Sequence, residues 1–253
     1  MKSSHWQGTA IPVFDAEIYY EKHGAGQPLV CLHNFSGNSR DRFAKLLPIL
    51  TKQFECYLVD LRGHGRSTNP TNNWTKEQFS RDIIEFCKQI GLDTAFFIAA
   101  SSGAMTMLRV ARYAPELVKA MVLDSGTYMI PEASRRFYKP PEKLKPSLKS
   151  LYEAANEVYG PEYGETMAKA FYDFRLPESD INTPIEVLTE IQAPTFIIHG
   201  DRDLFFPVDI PVAMKRTIPN STLSVFPNTE HIVMEFYPER VAEMTVKFFD
   251  TRQ

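Results

Sequence analysis

The residues best suited to chemistry lie in the run Phe96-Phe97-Ile98-Ala99-Ala100-Ser101-Ser102-Gly103-Ala104, where an apolar stretch stops at a serine set among small residues and a helical pattern follows. A serine on a sharp strand-to-helix turn is lifted clear of its neighbours. The residues two positions either side must be small, because strand and helix nearly touch there. Ala99 and Gly103 meet that demand for Ser101; Ala100 and Ala104 are also small about Ser102, which leaves the second serine as a competitor. A helix starting behind Ser101 turns its first N–H groups and the positive end of its dipole toward the place where an oxyanion would develop. A serine hydroxyl attacks only when a base takes its proton, and the base works best when a carboxylate fixes its tautomer. Asp203 follows the apolar run Phe196-Ile197-Ile198, and His231 follows Leu223-Ser224-Val225-Phe226, so Ser101, Asp203 and His231 succeed one another in the order nucleophile, acid, base. Asp201 in the same loop and Asp124 after Ala120-Met121-Val122-Leu123 are further carboxylates at strand ends.

To meet, these residues need a scaffold that brings several loops to one edge. Short β-rich runs at 29–32, 57–59, 96–98, 120–123, 196–198 and 223–225 alternate with helical spacing over 41–50, 76–90, 102–113 and 239–249. An alternating run at 17–22 reads as an early antiparallel strand. That rhythm predicts an α/β fold with a mainly parallel, doubly wound sheet, whose crossover helices place every strand's C-terminal end along one edge. The rhythm breaks over 127–183, a stretch rich in proline and aromatic residues with helical patterns at 147–159 and 165–174. It reads as a helical lid inserted into a core of residues 1–126 and 184–253, with Tyr152, Tyr159, Met167, Phe171, Tyr172 and Phe174 as candidates to face a pocket.

With these motifs in order, the chain resembles the α/β-hydrolase superfamily over nearly its whole length. Leu32-His33-Asn34-Phe35 stands where that family has its His-Gly-x oxyanion loop, and Asp60-Leu61-Arg62-Gly63-His64-Gly65-Arg66-Ser67 is similar to its Asp-x-Arg-Gly-x-Gly-x-Ser turn. Tyr113-Ala114-Pro115-Glu116-Leu117, Gly200-Asp201-Arg202-Asp203 and His231 with Tyr237-Pro238-Glu239-Arg240-Val241 extend the likeness. The resemblance implies Ser101 as nucleophile, His231 as general base and acid, and Asp203 as the orienting carboxylate, with Asp124 as second choice for the acid. It implies an oxyanion hole from the backbone N–H groups of Phe35 and Ser102, and structural roles for His33 and His64. His199, at a strand end, reads as a packed residue. Departures are Asn34 for a usual glycine, Ala99-Ala100 for Gly-x before the serine, and Glu230 for a common glycine before His231. A carboxylate at 230 lying close would raise the imidazole pKa.

The function implied is that of a serine hydrolase, a carboxylesterase acting on a small hydrophobic ester or similar acyl compound through an acyl-enzyme that water resolves. Lactonases, C–C bond hydrolases and aminopeptidases share the same triad, and a small-molecule receptor with incidental turnover is the reading from another class. No cofactor and no metal is expected. Across 253 residues the net charge is −3 with 43% hydrophobic content, which argues against disorder and against nucleic acid as a partner. Met1-Lys2-Ser3-Ser4-His5-Trp6-Gln7 lacks the apolar core of a signal peptide, no run approaches membrane-spanning length, and Cys31, Cys56 and Cys87 lack metal or disulfide spacing. The expectation is a cytoplasmic monomer or homodimer with no membrane partner.

Overall fold

The computed structural model describes residues 8–144 and 146–252; the reading of Met1 to Gln7 lies outside them. Eight strands, β1 (Gly8–Val13), β2 (Ala16–His23), β3 (Gln27–Leu32), β4 (Phe54–Val59), β5 (Ala95–Ala100), β6 (Val118–Asp124), β7 (Thr195–Gly200) and β8 (Ser221–Phe226), form one sheet in the order β1-β2-β4-β3-β5-β6-β7-β8. β1 and β2 are antiparallel additions at one edge, and from β4 onward all pairings are parallel. The chain moves outward from β3 to β4, then jumps back past β3 to β5 and proceeds the other way. The loops after β3 and β5 therefore diverge, which opens a crevice at the carboxyl ends of the strands where ligands bind in such sheets.

The helices are α1 (Ser39–Phe43), α2 (Leu47–Leu50), α3 (Lys76–Gln89), α4 (Ser102–Tyr113), α5 (Pro146–Tyr159), α6 (Tyr163–Asp173), α7 (Asp209–Thr217), α8 (Val233–Phe236) and α9 (Pro238–Asp250). Successive strand side chains point to opposite faces, so Val30, Leu32, Phe97, Ala99, Met121 and Leu123 pack with α3, α4 and α7, while Cys31, Phe96, Ile98, Ala120 and Val122 pack with α1, α2, α8 and α9. All three cysteines are free and buried in these layers.

One expectation needed correction, and one strand had not been expected. The helical spacing over 41–50 is split into α1 and α2, because Pro48 has no N–H and its ring would strike the carbonyl of Ala44 in a continuous helix; it is tolerated only in the first turn of a new one. Strand β1 went unread. It pairs with β2 through a hairpin whose turn is Phe14-Asp15, with Phe14 at φ 55, in place of the usual Asn-Gly signal, and Pro12 is accommodated because β1 is an edge strand. Between β6 and β7 the chain makes 3₁₀ turns (Glu132–Phe137, Pro141–Lys143, Ile185–Glu190) and helices α5 and α6, with no strand among the described residues. No helix of the described residues is long and apolar enough to cross a membrane.

One core residue is out of character. Lys76, at the start of α3, is fully buried with no hydrogen-bond partner for its ammonium among the described residues, and it lies over the rings of Phe174 (4.2 Å), Phe79 (4.3 Å) and Phe35 (5.5 Å). Burial pushes its pKa down to about 7, with the charge of Asp180 acting in the opposite sense. The unfolded chain thus binds more protons between pH 7 and the ordinary lysine range. Below pH 7 the cost of burying the charge is present in full, and it fades as pH rises toward about 10. Lys76→Met is expected to raise the unfolding free energy by about 2–4 kcal/mol at pH 6 and by little at pH 10. Urea titrations at the two pH values check it, and an equal gain at both would contradict the assignment of the cost to charge.

Candidate active site

Strand β5 ends at Ala100, and the next residue, Ser101, sits at φ 48 and ψ −106 before α4 begins at Ser102. This positive φ is unusual for a residue with a side chain and is held from both directions. Ser101 N–H donates to the Asp124 carbonyl (2.8 Å), and Gly103 N–H donates to the His33 carbonyl (3.1 Å). A Cβ at Gly103 would stand 2.6 Å from the Leu32 carbonyl oxygen and 2.8 Å from that of His33, so only glycine permits the approach.

The loop after β7 carries Asp203 and the loop after β8 carries His231. Asp203 Oδ1 accepts the N–H groups of Phe205 (2.8 Å) and Phe206 (3.0 Å), which leaves Oδ2 for His231 Nδ1–H at 2.6 Å. On the far side of the imidazole, Nε2 accepts the hydroxyl of Ser101 at 2.9 Å. The rings of Phe205 and Phe206 each lie 5.2 Å from the imidazole and restrict its rotation. Burial works against ionising Asp203, but the hydrogen bond and charge of His231 overcome it and hold the carboxyl below the ordinary aspartate value. A carboxylate, an imidazole and a hydroxyl in this chain can pass a proton from the serine to the imidazole while the carboxylate stays charged.

None of the competing residues joins this chain of hydrogen bonds among the described residues. Ser102 Oγ is buried and makes no hydrogen bond among them. Asp201 Oδ1 accepts the N–H of Thr229 (3.1 Å) and ties the two loops together. Asp124 Oδ1 and Oδ2 accept the N–H groups of Val233 (3.0 Å) and Met234 (2.8 Å), while Ser125 Oγ donates to Asp124 (2.9 Å) and accepts from Ile232 N–H (3.0 Å). The second-choice acid is therefore a clasp on the segment after His231; burial lifts its pKa to about 6 against the pull of those N–H groups. Glu230 is exposed, and among the described residues its side chain makes no hydrogen bond or ion pair with His231.

The loop histidines hold backbone. His33 accepts the N–H of Leu61 at Nε2 (2.9 Å) and donates from Nδ1 to the Asn34 carbonyl (2.6 Å). His64 donates to the Arg62 carbonyl (2.9 Å), and His199 to the Phe206 carbonyl (2.7 Å). Burial depresses the pKa of all three, that of His64 to about 3. In the oxyanion-loop segment the left-handed residue is Ser36 (φ 62), whereas Asn34 is fixed by its side chain, which accepts from Arg42 Nε (2.9 Å) and donates to the Phe35 carbonyl (2.9 Å). Neither Phe35 N–H nor Ser102 N–H donates a hydrogen bond among the described residues.

Ser101 and His231 open into a cavity of about 490 Å³ walled by Phe35, Met105, Phe137, Tyr138, Phe171, Phe174, Phe205 and Phe206. Of the aromatic and methionine candidates named from sequence, Tyr152, Phe171 and Phe174 line it, and Tyr152 accepts a hydrogen bond from Ser36 Oγ (2.8 Å). Met167 is buried in the core, Tyr172 packs under the Arg175 guanidinium, and the side chain of Tyr159 lies outside the described residues. Sequence reasoning missed Tyr138, Phe205, Phe206, Lys139 and Lys143; only the position of Phe205 and Phe206 directly after the acid loop could have flagged any of them. A larger cleft of about 910 Å³, beside Trp74 and Asp180, contains no triad residue.

A family model for the alpha/beta hydrolase fold matches residues 27–163, more than half of the chain. The chain belongs to the α/β-hydrolase family. Among family relatives, the 2-hydroxy-6-oxo-6-(2'-aminophenyl)hexa-2,4-dienoic acid hydrolase of Metapseudomonas resinovorans is 23% identical over 93% of this chain and 88% of its own. The non-heme haloperoxidase of Rhodococcus erythropolis is 24% identical over 85% and 89%. The solved α/β-hydrolase fold of the meta-cleavage product hydrolase from Pseudomonas fluorescens superposes with a TM-score of 0.82 at 21% identity, covering 97% of this chain and 98% of that one.

Gly103→Ala is expected to cost about 1–3 kcal/mol or more of stability, since both opposing atoms are backbone and cannot turn aside. Urea unfolding measures it, and an unshifted midpoint would show that strand and helix are not held at this approach.

Proposed function

We propose that the protein is a serine hydrolase that cleaves a small carboxylic ester or similar acyl compound through an acyl-enzyme. The observation that carries this reading is the unbroken chain from Asp203 through His231 to the Ser101 hydroxyl, opening into a small apolar cavity. Ser101 Oγ attacks the carbonyl carbon as His231 Nε2 takes its proton; Asp203 stabilises the imidazolium. The N–H groups of Phe35 and Ser102, which donate no hydrogen bond among the described residues, hold the developing oxyanion. His231 then returns the proton to the departing alcohol, and a water activated by the same imidazole releases the acid. Residues 127–183 act as the lid that walls the cavity.

The cavity favours an ester over a free-amine peptide. Among the described residues no aspartate or glutamate lines it, so a substrate ammonium would find no counter-charge there. Lactone and C–C bond hydrolysis are the alternatives for the same three side chains, and a panel of esters, lactones and β-diketones ranks these readings.

Ser101→Ala is expected to abolish turnover of 4-nitrophenyl butanoate while leaving the thermal midpoint within a few degrees of the parent. Asp203→Asn is expected to lower kcat on the order of 10³–10⁴-fold, because the amide no longer fixes the imidazole tautomer and Asp124, engaged with backbone N–H groups, cannot replace it. Retained turnover in Ser101→Ala would refute the proposal; retained turnover in Asp203→Asn would move the acid to Asp124.

A further inference from the structure

The net charge of −3 hides a strong asymmetry: between residues 135 and 149 the chain carries Arg135, Arg136, Lys139, Lys143, Lys145 and Lys149 against the single acid Glu142. Two of these bases, Lys139 and Lys143, line the cavity that contains Ser101 and His231. Both are exposed, and among the described residues neither ammonium lies within ion-pair distance of a carboxylate. The rest of the lining is apolar or carries uncharged polar groups, Asn34, Ser36, Ser102, Tyr138 and Tyr152, apart from the proposed catalytic pair. Asp203 is buried behind His231 with both oxygens engaged, so its charge is met before it reaches the cavity.

Resting on the serine-hydrolase reading, we propose that the substrate is an anion: a small ester bearing a carboxylate or comparable group at the end remote from the scissile carbonyl, received by Lys139 and Lys143. Two ammonium groups beside low-dielectric aromatic walls focus a positive potential into the cavity. A neutral molecule of the same shape draws no benefit from that potential, and a cation is turned away by it. The aromatic walls take the hydrocarbon, the triad takes the carbonyl, and the lysines take the charged end. Because the lysines are exposed, the attraction is one that salt weakens. A lipid headgroup would offer the same negative charge, and the experiment separates it from a soluble ester.

The test compares three esters of matched size in the full-length protein: the 4-nitrophenyl monoester of adipic acid, its neutral isostere 4-nitrophenyl 6-methylheptanoate, and the cationic 5-(trimethylammonio)pentanoate ester. A second set carrying the same charges on the alcohol side covers the opposite orientation. In at least one set, kcat/KM is expected to favour the anion over the neutral ester by about tenfold at low salt, with the advantage shrinking several-fold toward molar salt. The charge-reversed Lys139→Glu/Lys143→Glu double variant is expected to invert the order so that the cation leads, a result that misfolding cannot produce. Equal kcat/KM for anion and neutral ester in both sets, or a ratio that the double variant leaves unmoved, overturns the proposal while leaving the hydrolase reading intact. Turnover of none of the esters by the unmodified protein refutes the hydrolase reading itself. A preference that emerges only on phosphatidylglycerol vesicles also overturns the proposal, in favour of a lipid surface.

Discussion

Everything at the site depends on one contact between backbones: the carbonyls of Leu32 and His33 against the α carbon of Gly103. That approach lets α4 start directly behind β5 and confines Ser101 to φ 48, a conformation a serine adopts only when its surroundings leave no other. The same contact, with the Gly103-to-His33 hydrogen bond, draws the loop after β3 up to the start of α4, so that Phe35 and Ser102 line the cavity beside Ser101. Relaxing it would carry the nucleophile away from its base and Phe35 away from Ser102.

A second strained point faces the first across the site. Ile232, a β-branched residue, stands at φ 67, and Ser125 at φ 52; the Ser125 hydroxyl joins them, and Asp124 grips the next two N–H groups. Strand β6 thus reaches both partners: its last carbonyl holds Ser101 N–H, and its last side chain holds the segment following His231. Base and nucleophile are positioned from one strand end. That common anchor accounts for a buried carboxylate whose hydrogen bonds go to backbone N–H groups and the Ser125 hydroxyl, and it shows why Asp124 looks like a catalytic acid in sequence while serving the backbone in the fold.

The mainly parallel sheet and its crossover helices were legible in the sequence because parallel strands read as short apolar runs and the helices carry their own period, whereas the strand order was not. Ser101, Asp203 and His231 were legible because each closes such a run, and the fold brings exactly these ends to one edge once crossovers are right-handed. The parts that were not legible rest on tertiary context. Pro48 splits a stretch whose apolar spacing is otherwise unbroken, and the Phe14-Asp15 turn uses a positive φ at a residue that gives no sign of it. The aromatic walls from the 3₁₀ turns and α6 depend on how the excursion between β6 and β7 lies over the core, which no local pattern encodes. The lysines at the cavity were hidden by an acidic whole-chain balance.

The central claim is that one hydroxyl, Ser101, is made nucleophilic by His231. Treatment with diethyl 4-nitrophenyl phosphate followed by peptide mapping tests it most directly. The account predicts a single diethylphosphoryl group on Ser101 and its disappearance in His231→Ala. Modification of Ser102 or of another residue, or labelling of Ser101 that persists unchanged without the imidazole, would contradict it.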